Sequence, residues 1–235
     1  MKLAAAVCAL VTGFVSLARG EPICVSGTLA SYVALGTAGC ALGSSVVSGF
    51  ETLSGINLAV PIAPSGISVT PVANAGGVGL MFSLSSSASG GITEALFSYS
   101  ISGGAYTGSS ISASGTSVSG NGAVTDIQNL CLGGRFGADG VSGCSTGRTG
   151  SLLLLGDGST STSFAAAISL NVTDDLTFDS GGPASTNRAA GGVFTDTFTS
   201  SASSVPEPRT LSLLIAGALS AAFITFTNRN RRKLL

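Results

Sequence analysis

The sequence predicts a mostly β protein. Its body is an antiparallel, sandwich-like domain, preceded by an N-terminal signal segment and followed by one C-terminal transmembrane helix. Short stretches of the body alternate apolar and polar residues with a period of two, which is typical of half-buried strands. Glycine is abundant, with 34 residues, and glycine pairs separate several of these stretches as turns do. Helical spacing of apolar residues is absent from the body, and its Ser, Thr and Gly content disfavours helices.

Composition divides the chain into five segments. The predicted segments are a signal peptide at 1–20, an exported β domain at 21–200, a linker at 201–210, a transmembrane helix at 211–227 and a basic cytoplasmic tail at 228–235. The first segment has a lysine, then an apolar run of about 15 residues, then small residues at the expected cleavage point. An uncleaved anchor is the alternative, but a run of that length is short for a membrane span.

Several elements of the body can be placed along the chain. Residues 67–70 and 80–84 fit short strands near a Gly76-Gly77 turn. Residues 97–102 alternate with period two, and the Gly103-Gly104 pair that follows predicts a hairpin with the next strand. Two further turn signals and one weaker alternation follow at Asn121-Gly122, Asp157-Gly158 and 193–199.

Four cysteines lie in the predicted β domain: Cys24, Cys40, Cys131 and Cys144. An even number of cysteines in an exported chain indicates disulfides, and four cysteines allow three connectivities. The two local pairs, Cys24–Cys40 and Cys131–Cys144, are favoured because each closes a short loop. A disulfide that closes a loop of about 15 residues contributes about 3 kcal/mol to stability in the chain-entropy model. A metal site is disfavoured, since the spacings are not CxxC-like and the chain has no histidine.

The charged residues exclude several classes of function. Without histidine the chain can build neither a His-based catalytic triad nor a His metal site. No lysine lies between Lys2 and Lys233, which excludes a P-loop or Schiff-base lysine there. Residues 21–205 carry three arginines against ten acidic residues, so nucleic-acid binding is not expected. We expect no cofactor, no metal and no catalytic activity.

The C-terminal end combines an extended acidic motif, an apolar helix and basic residues. The motif is Val205-Pro206-Glu207-Pro208, and its two prolines keep the backbone extended. After the apolar run comes a basic cluster of Arg229, Arg231, Arg232 and Lys233. Such a cluster predicts a cytoplasmic C-terminus, and therefore a single-pass topology with the body outside.

This order of motif, helix and basic tail resembles the PEP-CTERM sorting signal of bacterial exported proteins. The resemblance implies processing by an exosortase, a sorting transpeptidase. It also implies export through the inner membrane, transient anchoring by the C-terminal helix, and a final place at the cell surface or in the extracellular biofilm matrix, where exopolysaccharide is an expected partner. The segment from Cys24 to Cys40 is similar to the start of many uncharacterised proteins of this group. That similarity implies a β body with an N-terminal disulfide and supplies no activity.

Three hypotheses for the body remain at this stage. The first is a non-catalytic surface or matrix protein. The second is a carbohydrate- or calcium-binding module, for which Asp174, Asp175 and Asp179 are candidate ligands, as is the near-match to a calcium repeat at 133–139. The third is a hydrolase with two acids, which requires two carboxylates facing each other in one cleft.

Overall fold

The computed structural model describes residues 21–55, 59–74, 76–182 and 186–201. The predicted signal peptide, the Val205-Pro206-Glu207-Pro208 motif, the apolar run and the basic cluster lie outside the described residues. Strands dominate the part that is described, and their pairing is almost entirely antiparallel, so the predicted β body is confirmed. Within that part, no helix has the length and apolar character needed to cross a membrane.

The elements of the described residues follow one another in short connections. In chain order they are β1 (Gly27–Thr28), α1 (Leu29–Val33), β2 (Cys40–Leu42), β3 (Ser45–Thr52), β4 (Val60–Pro61), a 3₁₀ turn (Pro64–Gly66), β5 (Ile67–Asn74), β6 (Gly77–Leu84), β7 (Ser87–Ala88), β8 (Ile92–Ser114), β9 (Ser117–Ser119), β10 (Ala123–Leu132), β11 (Thr149–Leu155), β12 (Gly158–Asp179), β13 (Arg188–Ala190) and β14 (Val193–Ser200).

The short helix α1 is held by a reciprocal cap. The Thr28 hydroxyl accepts a hydrogen bond from the Ser31 backbone N–H at 3.2 Å, and the Ser31 hydroxyl accepts one from the Thr28 N–H at 3.0 Å. This capping box satisfies two donors that the helix leaves unpaired. The helix buries Leu29 and Tyr32 against the sheet. Periodicity does not predict it, because five residues are too few to show a helical repeat.

The two long strands β8 and β12 run through both layers of the main sheet. The sheet has the order β1-β5-β6-β14-β8-β12-β10-β11, with β3 and β4 also pairing with β8. Residues 92–102 of β8 pair with β3 and with 169–179 of β12, whereas residues 106–114 pair with β14 and with 158–163 of β12. Each long strand therefore contributes to two layers. Aromatic rings meet between the layers, as where Phe82 and Phe97 lie 4.8 Å apart, so the predicted sandwich-like packing is confirmed.

The predicted hairpin at Gly103-Gly104 is wrong, because both glycines lie inside the continuous strand β8. Gly103 has a φ of +92°, and a Cβ there would lie 2.8 Å from the Ser44 carbonyl oxygen. Only glycine fits this conformation and this close approach. On β12 the pairing shifts register between Ser163 and Ser169, opposite the same bend. The glycine pair thus redirects the strand from one layer to the other instead of reversing it.

Other turn predictions agree with the structure. The short strands predicted at 67–70 and 80–84 are present within β5 and β6, which pair antiparallel, with Asn74 opposite Gly77. A turn before Gly122 is closed by a hydrogen bond from its N–H to the Ser119 carbonyl. Asp157 lies between β11 and β12, which both pair with β10 and not with each other. The Asp157 carboxylate accepts hydrogen bonds from the Gly115 and Thr116 N–H groups and so ties this turn to the end of β8.

Aromatic side chains are concentrated in the core. The largest fully buried side chains include Tyr99, Tyr106, Phe82, Phe97, Phe178, Phe194 and Phe198. The Tyr99 ring stacks on Phe50 at 5.0 Å and lies edge-on to Phe198 at 6.3 Å. Among the described residues, Phe136 and Phe164 are half-buried and the other aromatic side chains are buried.

Both local disulfides are present. Cys24 bonds to Cys40, which fastens the segment after residue 20 to β2, and Cys131 bonds to Cys144 at the end of β10. These are the two pairs that loop length favours. Disulfides of this kind form in oxidising compartments, so they indicate an extracellular or periplasmic environment.

Candidate functional site

The outer face of one layer carries a groove of about 550 Å³. Strand alternation directs Glu94 and Leu96 of β8, Asp175 of β12, and Ile127 and Asn129 of β10 to this face. The groove therefore has an apolar floor with carboxyl and amide groups set into it. Most ligand pockets have this mixture of apolar lining and a few placed polar groups.

The walls of the groove come from two connecting segments. Leu53 follows β3, and its backbone N–H donates to the Leu96 carbonyl at 2.9 Å. Asp139 and Val141 lie in the loop that the Cys131–Cys144 disulfide closes. The Thr173 hydroxyl on β12 donates to the Gly140 carbonyl, which fastens this loop to the sheet. The groove is thus held open by a covalent link and by hydrogen bonds to its floor.

Two carboxyl groups meet in the groove. Glu94 is opposite Thr177 and Asp175 is opposite Leu96, so the two acids are diagonal neighbours on adjacent strands. Burial raises the pKa of Glu94, and the charge of Asp175 and a hydrogen bond with its carboxyl raise it further. The Thr177 hydroxyl donates to Asp175 at 2.8 Å. The charge of Asp175 at this contact makes ionisation of Glu94 less favourable.

The groove pair meets one condition of the hydrolase hypothesis, since two carboxyls face each other in one cleft. Glycoside hydrolysis uses carboxyls about 5–5.5 Å apart in retaining enzymes and about 6.5–9.5 Å apart in inverting ones.

A second group of acids lies in the core, on the opposite face of the same strands. Asp126, Asp174 and Asp196 are each at most 2% exposed. Asp126 and Asp174 extend from β10 and β12, and Asp196 extends from β14 in the facing layer. We call these three residues, together with Tyr99, Gln128 and Ser109, the core polar cluster.

Two hydrogen bonds in the core polar cluster join the layers. The Tyr99 hydroxyl donates to Asp196 Oδ2 at 2.5 Å, and the Ser109 hydroxyl donates to Gln128 Oε1 at 2.5 Å. The remaining polar atoms are poorly matched. Both carboxylate oxygens of Asp126 and of Asp174 and the amide nitrogen of Gln128 are buried without a well-formed hydrogen bond. Such groups cost free energy in a packed core.

Burial makes the three core carboxyls weak acids. It raises the pKa of Asp126 to about 8 and that of Asp196 to about 6, and it raises the pKa of Asp174 well above its usual value. The charge of Asp196 raises the pKa of Asp126 and Asp174 further. Contacts with Asp174, Tyr99 and Gln128 oppose this rise at Asp196, and the well-formed hydrogen bond among them comes from the Tyr99 hydroxyl. Asp196 therefore ionises at a lower pH than Asp126.

Sequence analysis did not single out the core polar cluster, although alternation contained the signal. In 193–199 the inward positions are Phe194, Asp196 and Phe198, so a carboxyl occupies a position that the period-two pattern reserves for an apolar side chain. In 124–130 the inward positions are likewise Val124, Asp126, Gln128 and Leu130. Polar residues at inward-facing positions weaken the alternation of apolar and polar residues, but they also indicate a buried polar site.

The proposed calcium ligands do not come together. Asp174 lies in the core and Asp175 in the groove, while Asp179 at the end of β12 accepts a hydrogen bond from the Gly181 N–H at 2.7 Å. Asp139 in the calcium-repeat near-match accepts hydrogen bonds from the Ser142 hydroxyl and from the Ser142 and Val141 N–H groups, and these bonds lower its pKa. Among the described residues, no group of three or more potential ligand side chains is arranged to hold a metal ion.

Comparisons with known proteins identify no relative by sequence. No family model matches the chain, and no curated protein matches it. Among solved structures, it is similar to TmCBM61, solved in complex with beta-1,4-galactotriose, at 10% identity over 66% of this chain and 88% of that chain, with a TM-score of 0.27. It is also similar to the CBM22-1 xylan-binding domain from Paenibacillus barcinonensis Xyn10C, at 10% identity over 79% of this chain and 99% of that one, with a TM-score of 0.18.

A third likeness is to the enzymatically active domain of tailspike protein 4 from bacteriophage CBA120. It has 8% identity and a TM-score of 0.23, and it covers 67% of this chain but only 20% of that chain. TM-scores this far below 0.5 carry no argument about fold or function. The function is therefore argued below from the residues of this chain.

Proposed function

We propose that this chain is an exported bacterial surface or extracellular-matrix protein that an exosortase sorts through a C-terminal PEP-CTERM signal, and that its β body is non-catalytic. The single observation that supports it best is a β body with two disulfides in a chain that also carries the Val205-Pro206-Glu207-Pro208 motif. Disulfides require an oxidising compartment, and the motif supplies a route to the surface from there.

The composition of the body agrees with a structural role. Charged residues are 9% of the chain, and hydroxyl side chains replace them on the exposed positions of the strands. On the outer face of β8, β12 and β14, serines and threonines lie in register, as where Ser110 pairs with Ser161 and with Thr197. A surface of this kind hydrogen-bonds water or matrix hydroxyls without attracting ions.

The sorting proposal is tested in the native host by replacing Pro206, Glu207 and Pro208 together with alanine. We expect the variant to keep its C-terminal segment and to remain in the membrane fraction, which intact-mass analysis and fractionation both report. The matched control replaces Ser203 and Ser204 with alanine beside the intact motif, and it should be processed as the unchanged chain is. An alanine-motif variant with an unchanged mature mass and location would overturn the sorting proposal.

The groove supports a second candidate function, the binding of a carbohydrate segment by the body. Glu94, Asp175 and Asn129 offer carboxyl and amide groups that hydrogen-bond sugar hydroxyls, and Leu96 and Ile127 offer an apolar floor between them. Glycan-array binding and binding to exopolysaccharide from the host measure this candidate. Asp175→Asn and Glu94→Gln should weaken binding, whereas Asp179→Asn, outside the groove, should not. No binding to any glycan by the unchanged chain removes this candidate.

A further inference from the structure

The two layers of the sandwich touch through a serine and a glutamine that are both buried. Ser109 is 1% exposed and Gln128 is 0% exposed. The hydroxyl oxygen of Ser109 lies 2.5 Å from Gln128 Oε1. Since a carbonyl bond is about 1.23 Å long, that hydroxyl oxygen lies within about 3.7 Å of the amide carbon. Atoms poised to react lie about 3–3.5 Å apart, so a small rotation of either side chain brings them together.

The leaving group of such a reaction is already in an unfavourable position. The amide nitrogen of Gln128 is buried without a well-formed hydrogen bond. A buried donor in that state is unfavourable in a packed core. Its departure as ammonia removes this cost from the folded protein, while the carbonyl oxygen remains in place.

We propose that Ser109 and Gln128 form an intramolecular ester cross-link between the two layers of the sandwich. The Ser109 Oγ attacks the side-chain amide carbon of Gln128, a C–O bond forms, and the C–N bond breaks. The hydroxyl proton ends on the leaving nitrogen, so the products are an ester and one ammonia. The atoms balance without an oxidant, a reductant or any other reactant.

Asp174 is placed to relay the proton. It lies directly opposite Gln128 in the pairing of β10 with β12, and the amide of Gln128 is near enough to lower the pKa of Asp174 and of Asp196. Burial raises the pKa of Asp174 well above its usual value, which favours its acid form. In the proposed step this acid gives its proton to the leaving nitrogen, and the proton of the Ser109 hydroxyl replaces it. Asp196, which accepts a hydrogen bond from the Tyr99 hydroxyl, and Asp126 are the other acids of the cluster.

The surrounding core protects the product. Val124 and Leu130 flank the site on β10, and Phe198 on β14 is paired with Ser109 on β8. All three of these apolar side chains are at most 2% exposed. Water is excluded, so hydrolysis of the ester is slow while the sandwich is folded. The link joins residues 19 positions apart and restricts the unfolded chain as a disulfide of similar span does.

Peptide mapping of the full chain from the native host tests the cross-link. The chain is digested at acidic pH, where esters are stable, and the peptides that contain Ser109 and Gln128 are weighed. We expect one joined species whose mass is about 17 Da below the sum of the two peptides, the mass of one ammonia. Hydroxylamine, which cleaves esters, should separate the joined species. Two separate peptides with an intact glutamine would overturn the proposal, whatever any variant does.

Matched variants locate the reacting atoms. Ser109→Ala should abolish the joined species and Ser109→Thr should keep it, because threonine retains the hydroxyl. Ser98→Ala removes another buried serine, whose hydroxyl bonds to Glu51, and should leave the cross-link unchanged. Asp174→Asn should lower the joined fraction measured soon after synthesis by at least about tenfold, since general acid–base catalysis contributes about 10²–10⁴-fold. Asp175→Asn should not lower it, and equal joined fractions in the two variants would overturn the relay.

Discussion

Asp174 and Asp175 are neighbours in the sequence, yet they lie in two different environments. Asp174 faces the core, where Asp126 and Asp196 surround it and no water reaches it. Asp175 faces the groove, where it contacts Glu94 and accepts a hydrogen bond from the Thr177 hydroxyl. Successive side chains of a strand point to opposite faces of the sheet, so β12 directs Asp174 inward and Asp175 outward.

The difference shows that position on the strand, and not residue type, decides what an acid does in this protein. In the core, burial favours the neutral form of the acids. The hydrogen bond from Tyr99 to Asp196 links the two layers there. In the groove, partial exposure leaves carboxyl groups available to a ligand. The same sheet thus carries a structural polar cluster on one face and a candidate binding site on the other.

The largest expected difference between the core face and the groove face of the sheet is the loss of stability when a side chain is truncated. Tyr99→Ala should lower the free energy of unfolding by about 3–5 kcal/mol, because it opens a cavity beside Phe50 and Phe198 and removes the hydrogen bond to Asp196. Ile127→Ala in the groove should cost only about 1 kcal/mol. Urea denaturation measures both. Equal losses would show that the groove floor is as tightly packed as the core.

The second expected effect concerns the disulfide that closes the groove wall. Replacing Cys131 and Cys144 with serine should lower the free energy of unfolding by about 3 kcal/mol, since the link closes a loop of 13 residues. Replacing Cys24 and Cys40 should cost a similar amount, but it should leave any glycan binding in the groove unchanged. Loss of binding in both double variants would show that the effect is on the fold and not on the groove wall.

The third expected effect is a pH dependence that comes from the core face. The folded protein raises the pKa of Asp126 to about 8 and of Asp196 to about 6, whereas both are near 3.8 when unfolded. The folded state therefore binds more protons than the unfolded state between about pH 4 and pH 8, and stability falls as pH rises through this range. We expect the free energy of unfolding to drop by an amount on the order of a few kcal/mol between pH 5 and pH 8.

Denaturation curves at pH 5, 6.5 and 8 measure this dependence. The lowered pKa of Asp139 and Asp157 acts in the opposite direction, but only below about pH 4, where those carboxylates become protonated. A free energy of unfolding that rises from pH 5 to pH 8 contradicts the assignment of protons to the core acids.

The smallest expected effect separates the two neighbouring acids directly. Asp175→Asn should change the free energy of unfolding by about 0.5 kcal/mol or less at any pH, because its site is partly exposed. Asp174→Asn should flatten the pH dependence between pH 5 and pH 8, because it removes one of three crowded carboxyls. The two variants are compared at both pH values, and parallel pH profiles would show that Asp174 does not belong to the coupled group.

Much of the body could be predicted from local patterns. Loop length favoured the two disulfides that form, and the two short strands predicted near the Gly76-Gly77 turn are present within β5 and β6. The bend at Gly103-Gly104 was not predictable in this way. A glycine pair between alternating stretches has the same sequence pattern whether the chain reverses or changes layer, and the close approach of Ser44 decides between them.

The candidate sites depend on partners that are distant in sequence. The contact of Tyr99 with Asp196 joins residues 97 positions apart, and the groove combines β8, β10 and β12 with a disulfide loop. Local sequence patterns do not predict contacts between residues so far apart. They do predict which face of a strand each side chain occupies, and at Asp126 and Asp196 this alternation predicts the core face.

The position of β14 has a consequence for how the body bears force. This strand lies between β6 and β8, with seven paired positions on one side and eight on the other, and Ser201 after it donates to the Ala105 carbonyl. A pull on the chain beyond Ser201 is therefore resisted by two ladders of hydrogen bonds loaded side by side. Such a strand must slide between both neighbours at once, whereas an edge strand can be peeled away one bond at a time.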